Sequence, residues 1–298
     1  MVLILGVVVA SLGLSACDSG TKATIDASVA SLGAQSDLQI HFTASVSGSG
    51  TTEAQTALSV ISVDTHYATP SGGPLSQANG TANAEVIINV GATPLLDLRT
   101  IGSNIYVLID LSAANAIPGL PLTSQEQTEL GALQLFLGGK WYEIPSTLLT
   151  SVLPSSTATQ AKPAQDQAVE RKIFDALSKL IDSGHAKSLS SGGYSETGTL
   201  QSVLNALLPT IQGLDPSAAA TAGTVQGTYT LTLTNSGSVA TGGSISITAP
   251  EGSGSTSDAT VTLQAAVTHD SDPVDVPTNV TVITPALIQQ LEGSASSL

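Results

Sequence analysis

Leu38, Ile40, Phe42, Ala44 and Val46 alternate with Gln39, His41, Thr43 and Ser45. A period of two predicts a strand with one buried face. The same signature returns at 84–90, 95–101, 105–111, 141–145, 227–235, 242–249, 259–268 and 276–283. Residues 58–67 also read as a strand, but the phase slips between Val60 and Ile61, as at a bulge or bend. Gly102-Ser103-Asn104 separates two apolar runs and signals a hairpin. The second of these runs, IYVLIDL, is apolar on both faces, as expected of a strand covered on both sides.

Elsewhere the period changes to that of a helix. Ile25, Val29 and Leu32 share one helical stripe within 23–34, and 125–137 reads as a short helix. The clearest helix spans 164–183, where Val169, Ile173, Leu177, Leu180 and Ile181 align and Gly184 supplies a stop. A further apolar helix over 200–208 is expected to end at Pro209, and a terminal one over 285–291 follows the last strand. Clean strand alternation favours an antiparallel sheet with one polar face. The fold class expected is therefore α+β: a large antiparallel sheet with helices packed on its apolar face. No period of a repeat protein is visible.

The chain opens on MVLILGVVVASLGLSA, an uncharged apolar run, and then Cys17, its sole cysteine. A run this short, ending in small residues, reads as a secretory signal, since a membrane span needs about 20 residues. Leu14-Ser15-Ala16-Cys17 resembles a bacterial lipobox. That resemblance implies cleavage before Cys17 and a diacylglyceryl thioether on it. No Lys or Arg precedes Lys22, whereas such signals normally begin with positive charge; a start upstream of Met1 is expected. The organisation predicted is a signal peptide over 1–16, a lipidated terminus with a short helix over 17–35, one α+β domain over 36–292, and a loose tail over 293–298.

Charge narrows the partners. With 23 acidic against 8 basic residues the net charge is −15, which argues against nucleic acid and against electrostatic docking on anionic lipid. Membrane attachment must come from acyl chains, each buried methylene contributing about 0.8 kcal/mol. A lone cysteine allows no internal disulfide. Aromatic residues are 3%, so Val, Leu, Ile and Ala must build the core.

Candidate chemistry is sparse. His41, His66, His185 and His269 show no metal-ligand spacing. His41 falls on the polar face of its strand, where solvent exposure is expected. There is no G-x-S-x-G elbow, and Ser190-Ser191-Gly192-Gly193 reads as a turn. Gly72-Gly73 and Gly242-Gly243 lack the strand-to-helix setting of a phosphate loop. Asp258, Asp270 and Asp272 fit solvated loops better than a calcium site. Trp141 is expected to anchor the core through its large apolar surface, and Tyr106 and Tyr229 carry the same reading. No metal, no cofactor and no enzymatic activity are expected.

The order of motifs adds a resemblance. After the lipobox come DLRTIGSNIYVLIDL, GGKWYEIP, a helical insert, GTYTLTL and VTVITP. This order resembles the actinobacterial cell-envelope lipoproteins of the LppX/LprG type. The best pair of motifs is Asn104-Ile105-Tyr106-Val107 with Lys140-Trp141-Tyr142, and 251–278 matches less well. The resemblance implies a curved half-barrel closed by helices and a hydrophobic cavity that holds acyl chains of a lipid or glycolipid. It implies a lipid-anchored protein on the outer face of the cell membrane. Ile105, Val107 and Ile109, with Ile173, Leu177 and Leu180, are the candidate cavity wall. The competing reading is a ligand-free structural or adhesive surface module with a packed aliphatic core.

Overall fold

The computed structural model describes residues 27–287, except 29, 50–51, 79–80, 120–122, 147, 149–186, 191, 215–223, 238, 252–256 and 270–272. The chain is α+β. Its strands are β1 (Asp37–Ser47), β2 (Ile61–Ala68), β3 (Asn83–Val90), β4 (Thr93–Ile101), β5 (Asn104–Ile109), β6 (Trp141–Ile144), β7 (Lys187–Ser188), β8 (Tyr194–Thr199), β9 (Thr228–Ser236), β10 (Val239–Pro250), β11 (Asp258–Thr268) and β12 (Val280–Val282). They form a 12-stranded sheet in the order β12-β6-β5-β4-β3-β2-β1-β11-β10-β9-β8-β7. Long stretches follow chain order because antiparallel neighbours need only short turns. Helices α1 (Thr52–Ser59), α2 (Ser124–Leu137) and α3 (Leu200–Leu214) accompany them.

The chain divides into two compact units. One holds most of β1, with α1, α3 and β7–β11; the other holds β2–β6, β12 and α2. In the first unit, β9, β10 and β11 are antiparallel, with Tyr229 opposite Ile247 and Ile247 opposite Val261. This register puts Tyr229, Leu231, Leu233, Ile245 and Leu263 on one face. The other face carries Thr228, Thr230, Thr232, Ser244, Ser246, Thr248, Thr260 and Thr262. Its hydroxyls pair across strands: Ser246 with Thr262 at 3.0 Å, Thr248 with Thr260 at 2.9 Å, and Thr197 with Thr230 at 3.3 Å. The alternation of GTYTLTL thus separates a polar from an apolar surface, as period two requires.

β1 carries Ile40 and Phe42, 3% and 9% exposed, while His41 between them is exposed. Burying each of these apolar side chains contributes about 1.5–3 kcal/mol. In α3, Leu200, Val203, Leu204, Leu207 and Leu208 are half-buried. Thr199 Oγ1 accepts a hydrogen bond from Ser202 N at 3.2 Å and caps the helix start.

Three expectations need correction. The phase slip at Val60 and Ile61 marks the junction of α1 with β2, not a bulge inside one strand. Thr52–Ser59 has too little apolar periodicity to announce a helix. The α3 helix continues past Pro209 to Leu214. Pro209 is exposed, so its ring and its missing N–H face water rather than a packed neighbour. The last strand shrinks to Val280–Val282, paired parallel with β6, while 273–277 are irregular. A further hairpin, β7–β8, turns at 189–193, where Leu189 N donates to Gly193 O at 3.0 Å. Its YSETGT strand carries too few apolar residues to read as period two. The helical reading over 23–34 survives where described, at 27–28 and 30–33.

Candidate functional site

The second unit places its side chains by simple register. β5 pairs with β4 through Ile105↔Thr100, Val107↔Leu98 and Ile109↔Leu96, and with β6 through Ile105↔Ile144 and Val107↔Tyr142. β3 continues the row with Val86↔Leu98 and Ile88↔Leu96. β2 extends it with Val63↔Ile88 and Thr65↔Val86. Directly opposed residues point to the same side of a sheet. Ile105, Val107 and Ile109 therefore lie on one face with Leu96, Leu98, Val86, Ile88 and Val63. Across these five strands that face carries no charged residue. Apart from Thr65 and Val90, each 2% exposed, its members on β2–β6 remain half-buried or more exposed, although most are large aliphatics.

The opposite face of the same strands is polar and, at its centre, more deeply buried. His66, Asp97 and Tyr106 are 6%, 7% and 5% exposed. Arg99 is the hub. Its Nε lies 2.7 Å from Glu85 Oε1, and its Nη2 lies 3.1 Å from Asp97 Oδ2. Its Nη1 donates to Asp275 O at 3.1 Å, and its guanidinium stacks 4.7 Å from the Trp141 ring centroid. His66 Nδ1 is 3.8 Å from Glu85 Oε2, while His66 Nε2 is buried without a hydrogen-bond partner. Burial pushes the Asp97 carboxyl above its ordinary value, with Glu85 adding to the rise. The Arg99 hydrogen bond and charge oppose it.

The segment before β12 crosses this polar face. Val274 is 4% exposed, and its carbonyl accepts from Asn83 Nδ2 at 3.4 Å. Asn279 at φ 58° then turns the chain into β12, a left-handed conformation that Asn tolerates better than most residues. Ile283 N closes the pairing by donating to Glu143 O at 2.8 Å. Among the described residues, the segment around Val274 thus covers the more polar side of the sheet.

A pocket of about 410 Å³ lies beside this sheet, between a 3-10 turn over Leu111–Ala116 and α2. Leu111, Ser112 and Asn115 line it from the turn; Gln127, Leu130, Gly131 and Gln134 line it from the helix. Gln134 ties the two together. Its Oε1 accepts from Leu111 N and its Nε2 donates to Asp110 Oδ1, both at 2.7 Å. Hydrogen bonds from Ser112 lower the Asp110 carboxyl below its usual range, helped by Gln134. Thr123 and Glu126 fix the start of α2 as a reciprocal capping box.

In the first unit, Glu196 and Tyr229 interrupt the apolar face. Tyr229 Oη donates to Glu196 Oε1 at 3.4 Å, and Glu196 is 4% exposed. Burial, then the Glu196 charge and hydrogen bond, push the Tyr229 hydroxyl up to about 12.

Of the residues that the sequence nominates, Ile105, Val107 and Ile109 come together on one face as alternation requires. Cys17, Ile173, Leu177 and Leu180 lie outside the described residues, as do the 164–183 helix and His185. Trp141 is half-buried and stacks under Arg99, so its ring does more than fill core. The Glu85–Asp97–Arg99 group escaped the reading because its members come together only through pairing of β3 with β4. Its one local sign is the DLR triplet, which places a carboxylate and an arginine on the same strand face. No group of three or more metal-ligating side chains occurs among the described residues.

No protein-family model matches this chain, and no curated protein does. Among solved structures, it is similar to the lipoprotein LppX of Mycobacterium tuberculosis, at 15% identity and a TM-score of 0.31, over 87% of this chain and 100% of that one. A likeness so distant assigns no role to any residue, and the site rests on this chain's own geometry.

Proposed function

We propose that this chain is a lipid-anchored envelope protein that binds, and ferries, a lipid or glycolipid without enzymatic chemistry. One observation carries the reading. Among the described residues, five paired strands present an aliphatic, charge-free face that is half-buried over most of its area, with Val90 and Thr65 fully buried, while the polar face behind it is crossed by the 273–279 segment. Acyl chains need apolar walls and no positioned charge, and an extended exposed apolar surface is otherwise costly. The wall comprises Ile105, Val107 and Ile109 with their cross-strand partners Leu96 and Leu98. Cys17, as the lipidated residue, holds the body at the membrane where cargo is loaded. Each methylene that leaves water for this wall contributes about 0.8 kcal/mol, so two-chain cargo binds tightly.

Mass spectrometry of organic extracts from the purified, anchorless protein tests this. Lipid at near-stoichiometric amounts is expected. Repeated preparations free of lipid would overturn the reading. A second reading, a ligand-free surface module, draws on the hydroxyl face of β8–β11, whose paired Ser and Thr side chains suit contact with hydrated polymer. It expects no co-purifying lipid.

A further inference from the structure

The α2 helix turns two glutamines and a glycine, with one leucine, toward the neighbouring 3-10 turn. Gln127, Leu130, Gly131 and Gln134, spaced at three, four and seven, face the Leu111–Ala116 turn. Leu133 and Leu135 are left 46% and 80% exposed. Packing alone would turn every leucine inward and the glutamines out; here Leu130 and Gln134 are half-buried, and Gln127 and Gly131 are exposed. Gly131 deepens the anomaly. Glycine inside a helix weakens it relative to Ala, yet a Cβ at Gly131 would meet nothing within 4 Å. Neither close packing nor a positive φ requires a glycine there. Gly131 does line the pocket, and a long side chain there would have room to enter it.

We propose that this pocket is a binding site for an uncharged sugar unit. Its volume, about 410 Å³, lies in the range of small-ligand sites, roughly 300–1,000 Å³. The lining is neutral: Asn115, Gln127 and Gln134 offer both donors and acceptors, as sugar hydroxyls require. Leu111 and Leu130 offer apolar surface to the C–H face of a pyranose ring. No charged side chain lines the pocket on a chain of net charge −15. The adjacent carboxylate, Asp110, is engaged by Ser112 and Gln134, and its negative charge disfavours anionic sugars. Gln134 is held at both ends of its amide, so part of the wall is pre-organised. None of the lining residues belongs to the aliphatic sheet face, and the inference does not depend on the lipid reading.

The test is an NMR titration of the full chain, purified in a sugar-free detergent, with maltose, dodecyl maltoside and glucose 6-phosphate. Saturable maltose shifts at the Asn115, Gln127 and Gln134 side-chain amides are expected, with weaker or no shifts from the phosphate. Gly131→Leu fills the pocket while improving helix propensity, and should weaken maltose binding about tenfold or more. Gln127→Ala should weaken it several-fold. Equal affinity for maltose and dodecyl maltoside assigns the site to a free glycan end; tighter binding of the detergent, lost in Gly131→Leu, assigns it to a lipid-borne head. Absence of saturable maltose shifts at millimolar concentrations, or identical binding in Gly131→Leu, overturns the proposal.

Discussion

The ring of Tyr229 lies over Gly198, its partner across β8 and β9: a Cβ at Gly198 would sit 2.5 Å from the Tyr229 Cε1 and 2.7 Å from Cζ and Oη. Tyr229 is 7% exposed, and the glycine makes room for a ring that would otherwise stand off the sheet. Gly198→Ala should therefore destabilise the chain by about 1–3 kcal/mol, the usual cost of overpacking. Gly131→Ala, in open space on α2, should stabilise it by up to about 1 kcal/mol. Urea-unfolding midpoints of the two variants should move in opposite directions. Equal effects would mean that the Tyr229 ring yields to the new methyl group.

The same tyrosine predicts an alkaline limb. Its folded pKa, about 12, stands above the unfolded value near 10. The native state therefore retains the phenolic proton where the unfolded chain loses it. That contribution is whole below about pH 10 and disappears as pH rises through the folded value. Wild-type stability should fall across this window, and Tyr229→Phe should flatten the fall. Burial raises the Tyr67 hydroxyl as well, so titration of tyrosinate absorbance should show late ionisation of which Tyr229→Phe removes the Tyr229 share.

Arg99 concentrates several contacts in one side chain, and its loss should propagate to the C-terminal segment. Glu85 and Asp97 are both largely buried and share this one arginine. Removing a partner from a buried ion pair leaves charge uncompensated and costs about 3–5 kcal/mol when burial is complete. The Arg99 side chain is 22% exposed, so about 2–4 kcal/mol is expected for Arg99→Ala. The variant also loses the bond to Asp275 O, and limited proteolysis should cut 273–279 faster than in wild type. Arg99→Met with Glu85→Gln, which removes charge from both sides, should recover part of the stability but not the protease resistance. Full recovery of both would show that the segment is held by Val274 burial and β12 pairing instead.

How much of this was legible follows from where the information sits. TYTLTLT carries its faces in local alternation, whereas IYVLI is apolar on both, and only its pairing with β4 and β6 shows which face joins the aliphatic row. The helix at Thr52–Ser59 had no such mark: its apolar residues are too few, and tertiary context decides its form. Pro209 misled because a missing N–H costs less at an exposed position than in a packed interior. The Glu85–Arg99 pair is invisible along the chain, since 14 positions separate residues that strand pairing brings side by side. The α2 pocket was hidden for the opposite reason. Its polar lining reads as an ordinary solvated helix face until the Leu111–Ala116 turn is set against it.

A charge placed on the aliphatic face distinguishes cargo from core. Val107 and Leu98 are direct cross-strand partners, half-buried, at the middle of the β3–β6 row. If a lipid chain covers them, Val107→Asp should abolish co-purifying lipid while lowering the stability of the lipid-free protein by only about 1–2 kcal/mol, because water still reaches the site. If the chain's own residues fill that space, the carboxylate would be buried unpaired, and the penalty should rise to several kcal/mol with no change in lipid content. Tyr106→Phe, one residue along β5 but on the covered polar face, should leave lipid content untouched. Unfolding curves and lipid extraction on these two variants together therefore report which side of β5 meets the ligand. Lipid retained by Val107→Asp would remove the wall from the binding surface.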